Sequence, residues 1–122
     1  MAGSKFLPLK RLLDSSSAKV VNIIGLMSGT SADGIDACLV QFRRERKKLQ
    51  WSLLSTLSLP FKSSLKERIL RTASLEGTVE DACLLDRDLG IQYGQAVKRL
   101  IRKSGVQSSD IVAVASHGQT IR

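Results

Sequence analysis

With 122 residues, 43% of them hydrophobic and 25% charged, the chain is long enough for one domain with a real core and too apolar for intrinsic disorder. No apolar run approaches the roughly 20 residues that a membrane helix needs, and the N-terminus lacks the apolar centre of a secretory signal; a soluble, cytoplasmic protein is expected. The net charge of +8 sits largely in residues 1–19, where Lys5, Lys10, Arg11 and Lys19 face only Asp14, and in "RRERKK" at 43–48; with 4% aromatics to stack on bases, neither nucleic-acid nor membrane binding is expected.

Residues 1–19, ending in "LDSSSAK", read as a flexible basic extension, which leaves 20–122 as the folded part. From Val20, "VVNIIGLM" is a β-branched run that predicts a first strand. A polar, glycine-bearing stretch, "SGTSADGID" (Ser28 to Asp36), leads into the alternating "IDACLVQF", a second strand that closes a hairpin on the first. In "LQWSLLSTLSL" (49–59), Leu49, Trp51, Leu53, Ser55, Leu57 and Leu59 fall on one side of a period-two pattern, so a third antiparallel strand is predicted with those residues on one face and Pro60 at its end.

Ser64 followed by Glu67 has the spacing of a capping box and predicts a short helix from about Leu65 to Ala73. Gly77 and Thr78 then open a longer helix, with Glu80 and Asp81 in its first turn. Ala82, Leu85, Leu89, Tyr93, Val97 and Leu100 make its apolar stripe, and Gly105 stops it. Ile111 to Ala115 is nearly unbroken apolar sequence, the pattern of a strand covered on both faces and parallel to a neighbour. Cys38 and Cys83 are the only cysteines and His117 the only histidine, so no zinc cluster can be assembled, and both thiols are expected to be buried and reduced.

The chemistry concentrates in Ser28 to Asp36. Gly29 and Gly34 remove side chains that would keep a ligand from the backbone amides, Thr30 and Ser31 add hydroxyls, and consecutive N–H groups in a turn make an anion site. Asp33 or Asp36 would repel bare phosphate, but either suits a Mg²⁺ ion, through its bound water, that arrives with a nucleotide. The same residue types also build ordinary hairpin turns, and on the residues alone both readings stand. A Walker A loop is excluded, because the Gly-Lys-Ser/Thr ending is missing and a strand, not a helix, follows.

"GLMSGTSADGID" (25–36) resembles the N-terminal signature of the anhydro-N-acetylmuramic acid kinase family, and "SHGQTI" (116–121) resembles its second recognisable block; "LDRDLGIQYGQAV" (85–97) is similar to the helix between them. The resemblance implies an α/β fold of the actin-like, hexokinase-like ATPase class (ribonuclease H-like), here an incomplete first lobe of three antiparallel strands, then helices and a parallel strand. It implies a kinase that uses ATP with Mg²⁺ to open the 1,6-anhydro ring of anhydro-N-acetylmuramic acid with water and to phosphorylate O6, giving N-acetylmuramic acid 6-phosphate in cell-wall recycling. Its partners would be ATP and the anhydro amino sugar, with a homodimer possible for the full-length family.

Carried over by position, Gly29, Thr30, Ser31, Ala32, Asp33, Gly34, Ile35 and Asp36 form the ATP-binding stretch. Ala32 departs from the larger apolar residue usual there. Ser116, His117, Gly118, Gln119 and Thr120 are the candidate sugar contacts, past the carboxyl end of a parallel strand where α/β sheets place ligands; His117 reads equally as a structural residue holding its loop. The aspartate expected to activate water has no counterpart before Arg122, so no catalytic residue is assigned and the short chain is expected to be inactive alone. The alternative is a noncatalytic remnant that binds nucleotide or serves as an interaction module.

Overall fold

The computed structural model describes residues 20–45 and 48–121; the expected extension at 1–19 lies outside these, as does part of the basic tip at 43–48. Strands β1 (Val20–Ser28), β2 (Gly34–Glu45) and β3 (Lys48–Pro60) are followed by helices α1 (Ser63–Thr72) and α2 (Val79–Ser104), a 3₁₀ turn (Ser108–Asp110) and strand β4 (Ile111–Gln119). They form a four-stranded sheet in the order β3-β2-β1-β4. β2 is antiparallel to β1 and to β3, whereas β4 returns parallel to β1 after the helical crossover. The result is a mixed α/β fold, an open sheet with two helices.

Alternation sorts each strand into two faces. Ile24 and Leu26 of β1, Ile35, Ala37 and Leu39 of β2 and Leu59 of β3 are buried together beneath Ala96 and Leu100 of α2. The first half of α2 does something else: Leu85 and Leu89 pack with Leu65 and Ile69 of α1 and with Ala32 from the β1–β2 turn. Phe61 and Tyr93 touch both clusters and join them. The Ala32 methyl group thereby anchors the turn in the helical layer.

The period-two reading of β3 holds only in part. Leu39 pairs with Ser55, but Val40 pairs with Leu53, so Leu54 is an extra residue in a β-bulge. The bulge flips the face. Leu57 and Leu59 turn to the helices, while Leu53 and Trp51 lie beside Val40 and Phe42 on the uncovered face, and Leu49 and Trp51 are each 66% exposed.

Three other expectations change. α1 begins at Ser63 with Lys62 as its N-cap, so Ser64 lies inside the helix and no side chain caps it; the Lys62 carbonyl accepts from the N–H groups of Leu65 and Lys66, both at 3.0 Å. β4 is an edge strand exposed from Val114 to His117: α2 packs chiefly across β2 and β3, and Ile111 at the start of β4 packs against the core they share. Cys83 is exposed on α2 and Cys38 only half-buried, and both are free thiols.

Thr78 opens α2 as expected, and with Asp81 it forms a reciprocal capping box that the reading of the sequence did not specify. Thr78 Oγ1 accepts from the Asp81 N–H at 3.1 Å, and the Asp81 carboxylate accepts from the Thr78 N–H at 3.0 Å. Gly105 ends the helix in the left-handed region, at φ 72°. The bond from the Thr78 N–H, then that from its hydroxyl, holds the Asp81 carboxyl below the usual carboxylate range. A lowered carboxylate stabilises the fold fully above the unfolded value of about 3.9 and ceases to do so as pH falls through the lower folded value. Asp81→Asn is therefore expected to lower the urea midpoint at pH 7, with the gap to the parent chain closing below about pH 4; urea melts at pH 7, 4 and 3 check this.

Candidate phosphate-binding site

The hairpin connection is five residues long, Gly29 to Asp33, between the end of β1 and the start of β2. Its core is a β-turn closed by the Ala32 N–H on the Gly29 carbonyl at 3.1 Å. Ala32 then takes a φ of 53°, a strained value for a residue with a Cβ, and is held there because its methyl group is fully buried between α1 and α2. The departure from a larger residue at this position leaves a packed contact. Between the ends of that turn, the backbone N–H groups of Thr30 and Ser31 have no hydrogen-bond partner among the described residues, and both residues are exposed. Unpaired consecutive amides are what an anion requires.

The two glycines have different jobs. A Cβ on Gly34 would lie 2.4 Å from the Leu59 carbonyl oxygen and 2.8 Å from Pro60 Cα, so Gly34 lets β2 approach β3. A Cβ on Gly29 would meet only Ser31 Oγ at 4.0 Å, in a φ range open to any residue. The protein's own packing thus does not need Gly29 to be glycine, whereas a ligand lying against the turn would.

Asp33 and Asp36 divide as well. The Asp33 carboxylate is paired with Lys66 of α1, and this hydrogen bond first, then one from Ser31 and the Lys66 charge, hold its carboxyl below the usual range. The Asp36 carboxylate accepts from Ser58 Oγ at 2.6 Å on the uncovered face of the sheet. Ile35 is buried in the core and offers a ligand only backbone.

A groove of about 440 Å³ runs past the turn, lined by Met27, Gly29, Ser31, Asp33, Asp36 and Ser58 among others. It continues along the uncovered face into a second hollow of about 640 Å³, which shares Met27, Asp36 and Ser58 and has Gly25, Cys38 and His117 in its walls. Among the described residues no group of three His, Cys, Asp or Glu side chains could hold a metal by itself. Two carboxylates beside a groove do fit Mg²⁺ that brings water and phosphate oxygens as its other ligands.

The second motif meets the first at one point. β4 extends to Gln119, so Ser116 to Gln119 belong to the strand rather than lying past its end. Ser28 pairs in register with Gln119. The Ser28 hydroxyl donates to Gln119 Oε1, and Gln119 Nε2 donates to the carbonyls of Gly29 at 3.0 Å and Thr120 at 3.1 Å. Ser116 Oγ accepts from the Gly118 N–H at 3.1 Å, and Gly118 takes a φ of 76°. His117 reaches the groove wall without a hydrogen bond to the Ser28–Asp36 stretch. Sequence reasoning missed Lys66 on Asp33, Ser58 on Asp36 and the Gln119 link, of which only Gln119 lay in a recognisable motif.

The family model for anhydro-N-acetylmuramic acid kinase matches residues 21–122. Among curated proteins, the chain is 44% identical over 100 residues to an anhydro-N-acetylmuramic acid kinase of Nitrosomonas europaea, covering 81% of this chain and 26% of that one. It is 37% identical over 114 residues to the kinase of that name from Caldanaerobacter subterraneus, covering 93% and 29%. A Shewanella sediminis kinase of the same name is 43% identical over 101 residues, covering 81% and 26%. The chain spans about a quarter of the length of these relatives. Matched from the first strand to the end of the second motif, and corresponding to the N-terminal portion, the chain belongs to the anhydro-N-acetylmuramic acid kinase family.

Proposed function

We propose that residues 20–122 are the phosphate-binding part of the first, actin-like lobe of an ATP-dependent kinase, with Gly29 to Asp36 holding the nucleotide phosphates. The observation that carries this is the pair of unpartnered amides at Thr30 and Ser31, set beside a glycine that the fold itself does not require. Phosphoryl transfer rests on positioning and on compensating charge. Here the N–H groups and hydroxyls of Thr30 and Ser31 orient the phosphate oxygens, Lys66 offsets the charge of Asp33, and the Asp36 carboxylate remains on the groove side. Mg²⁺, when bound, would be held by Asp36 or Asp33 through its waters and would offset phosphate charge.

By family membership, the acceptor is the O6 of 1,6-anhydro-N-acetylmuramic acid, whose ring is opened by water to give N-acetylmuramic acid 6-phosphate. Ser116 and His117, in the wall of the continuing hollow, with Gly118 and Thr120 following them in the chain, are the proposed sugar side. No described carboxylate other than Asp33 and Asp36 lines either hollow, so the group that activates water is not assigned to these residues. The chain on its own is accordingly proposed to bind nucleotide without turning it over, which is also what a noncatalytic nucleotide-binding module would do.

Gly29→Val tests the reading. A Cβ added there meets only Ser31 Oγ at 4.0 Å, so the urea midpoint is expected to stay unchanged while affinity for Mg-ATP, measured by titration calorimetry, falls at least about tenfold, or roughly 1.4 kcal/mol. Equal affinity in the variant, or no binding by the parent chain at millimolar Mg-ATP, contradicts the assignment.

A further inference from the structure

We propose that Gln119 is a positioning residue for the phosphate turn: its side-chain amide holds the Gly29–Thr30 peptide plane so that the Thr30 and Ser31 amides stay presented to a ligand. The proposal rests on the phosphate-binding reading of that turn. It assigns to Gln119 a role other than sugar contact.

The amide of Gln119 has one workable orientation. Its Oε1 accepts from Ser28 Oγ, and both Nε2 hydrogens are used, one on the Gly29 carbonyl at 3.0 Å and one on the Thr120 carbonyl at 3.1 Å. Flipping it would set Oε1 against two carbonyl oxygens, which only accept. Ser28, which fixes the oxygen end, is 1% exposed. Beside it lies the buried Tyr93 hydroxyl. Burial pushes the Tyr93 pKa up, with the Ser28 hydroxyl acting against it. The Ser28–Gln119 bond is therefore made in a partly buried place, where a hydrogen bond is worth more than at the surface, while the two Nε2 bonds lie on the exposed side of the amide.

The Gly29 carbonyl accepts twice, from Gln119 Nε2 at 3.0 Å and from the Ala32 N–H at 3.1 Å. Both of its lone pairs are used, and its direction is fixed. The peptide unit is planar and trans, so the Thr30 N–H points opposite to that carbonyl, away from the Gln119 side. Fixing one carbonyl therefore aims the neighbouring amide. Nothing else described performs this task from β4, since the strand ladder by itself sets Ser28 beside Gln119 but does not contact the Gly29 carbonyl. The two motifs, about 90 residues apart, are thus mechanically one unit.

Amide hydrogen exchange of the ligand-free 122-residue chain, followed by NMR, tests this. In both Gln119→Leu, which removes all three bonds, and Gln119→Glu, which keeps the acceptor for Ser28 but loses the donors, the Ala32 N–H is expected to exchange at least about tenfold faster relative to the core amides of Ile24 and Leu39. Ser28→Ala, which frees only the oxygen end, is expected to show a smaller increase. A merely structural role would speed Ala32 and the core amides equally. Unchanged Ala32 exchange in Gln119→Leu, or in Gln119→Glu should the leucine variant not fold, overturns the proposal, as does an equal rise in the core. Because the exchange readout contains no nucleotide, it is separate from Mg-ATP titration of the parent chain, where failure would count against the phosphate reading alone.

Discussion

Gly34→Val is expected to destabilise the chain by at least about 3 kcal/mol, a large share of the roughly 5–15 kcal/mol that holds a small domain together. The reason is backbone against backbone. The new Cβ would sit 2.4 Å from the Leu59 carbonyl oxygen, and neither strand can move aside easily. Ile35 is paired with Leu59, and the Phe61 N–H is bonded to the Asp33 carbonyl at 2.9 Å, which ties the end of β3 to the turn. Urea denaturation should show the midpoint lowered by about 1 M or more, or no cooperative transition; a midpoint equal to that of the parent would show that the close approach is not needed. The contrast with Gly29 is the useful part, since the neighbouring glycines of one motif serve different masters.

Leu39→Ala is expected to cost about 2–5 kcal/mol. Leu39 is fully buried at the centre of the sheet, paired across to Ile24 and covered by Ala96 and Leu100 of α2. The cavity left there is enclosed by a strand on each side and a helix above, so it cannot collapse cheaply. Leu53→Ala, by contrast, should change stability by no more than about 0.5 kcal/mol, because the bulge at Leu54 turns Leu53 onto the uncovered face. Paired urea melts check both. A large cost at Leu53 would contradict the bulged register.

Local signals account for what the amino-acid pattern reveals. The alternation in β1 and β2, the helix start at Thr78 with acidic residues in its first turn and the Gly105 stop each involve residues within a few positions of one another, and each appears where expected. What was hidden depends on partners far along the chain. The bulge in β3 exists only against β2, and the exposure of Val114 to His117 follows from α2 packing chiefly across β2 and β3. An apolar run such as Ile111 to Ala115 carries no mark of which neighbours will cover it. The site divides in the same way. The glycines and hydroxyls of Ser28 to Asp36 advertise a turn able to hold an anion, but only the fold separates Gly34, required by β3, from Gly29, left open. Lys66 reaches Asp33 across 33 positions, and Gln119 reaches Gly29 across 90.

The most direct test is an NMR titration of the ¹⁵N-labelled chain with Mg-ATP and, separately, with adenosine. If the turn is a phosphate site, the amides of Thr30 and Ser31 shift most with Mg-ATP and remain in place with adenosine. Equal shifts with adenosine, or shifts confined to residues outside Gly29 to Asp36, would contradict the account.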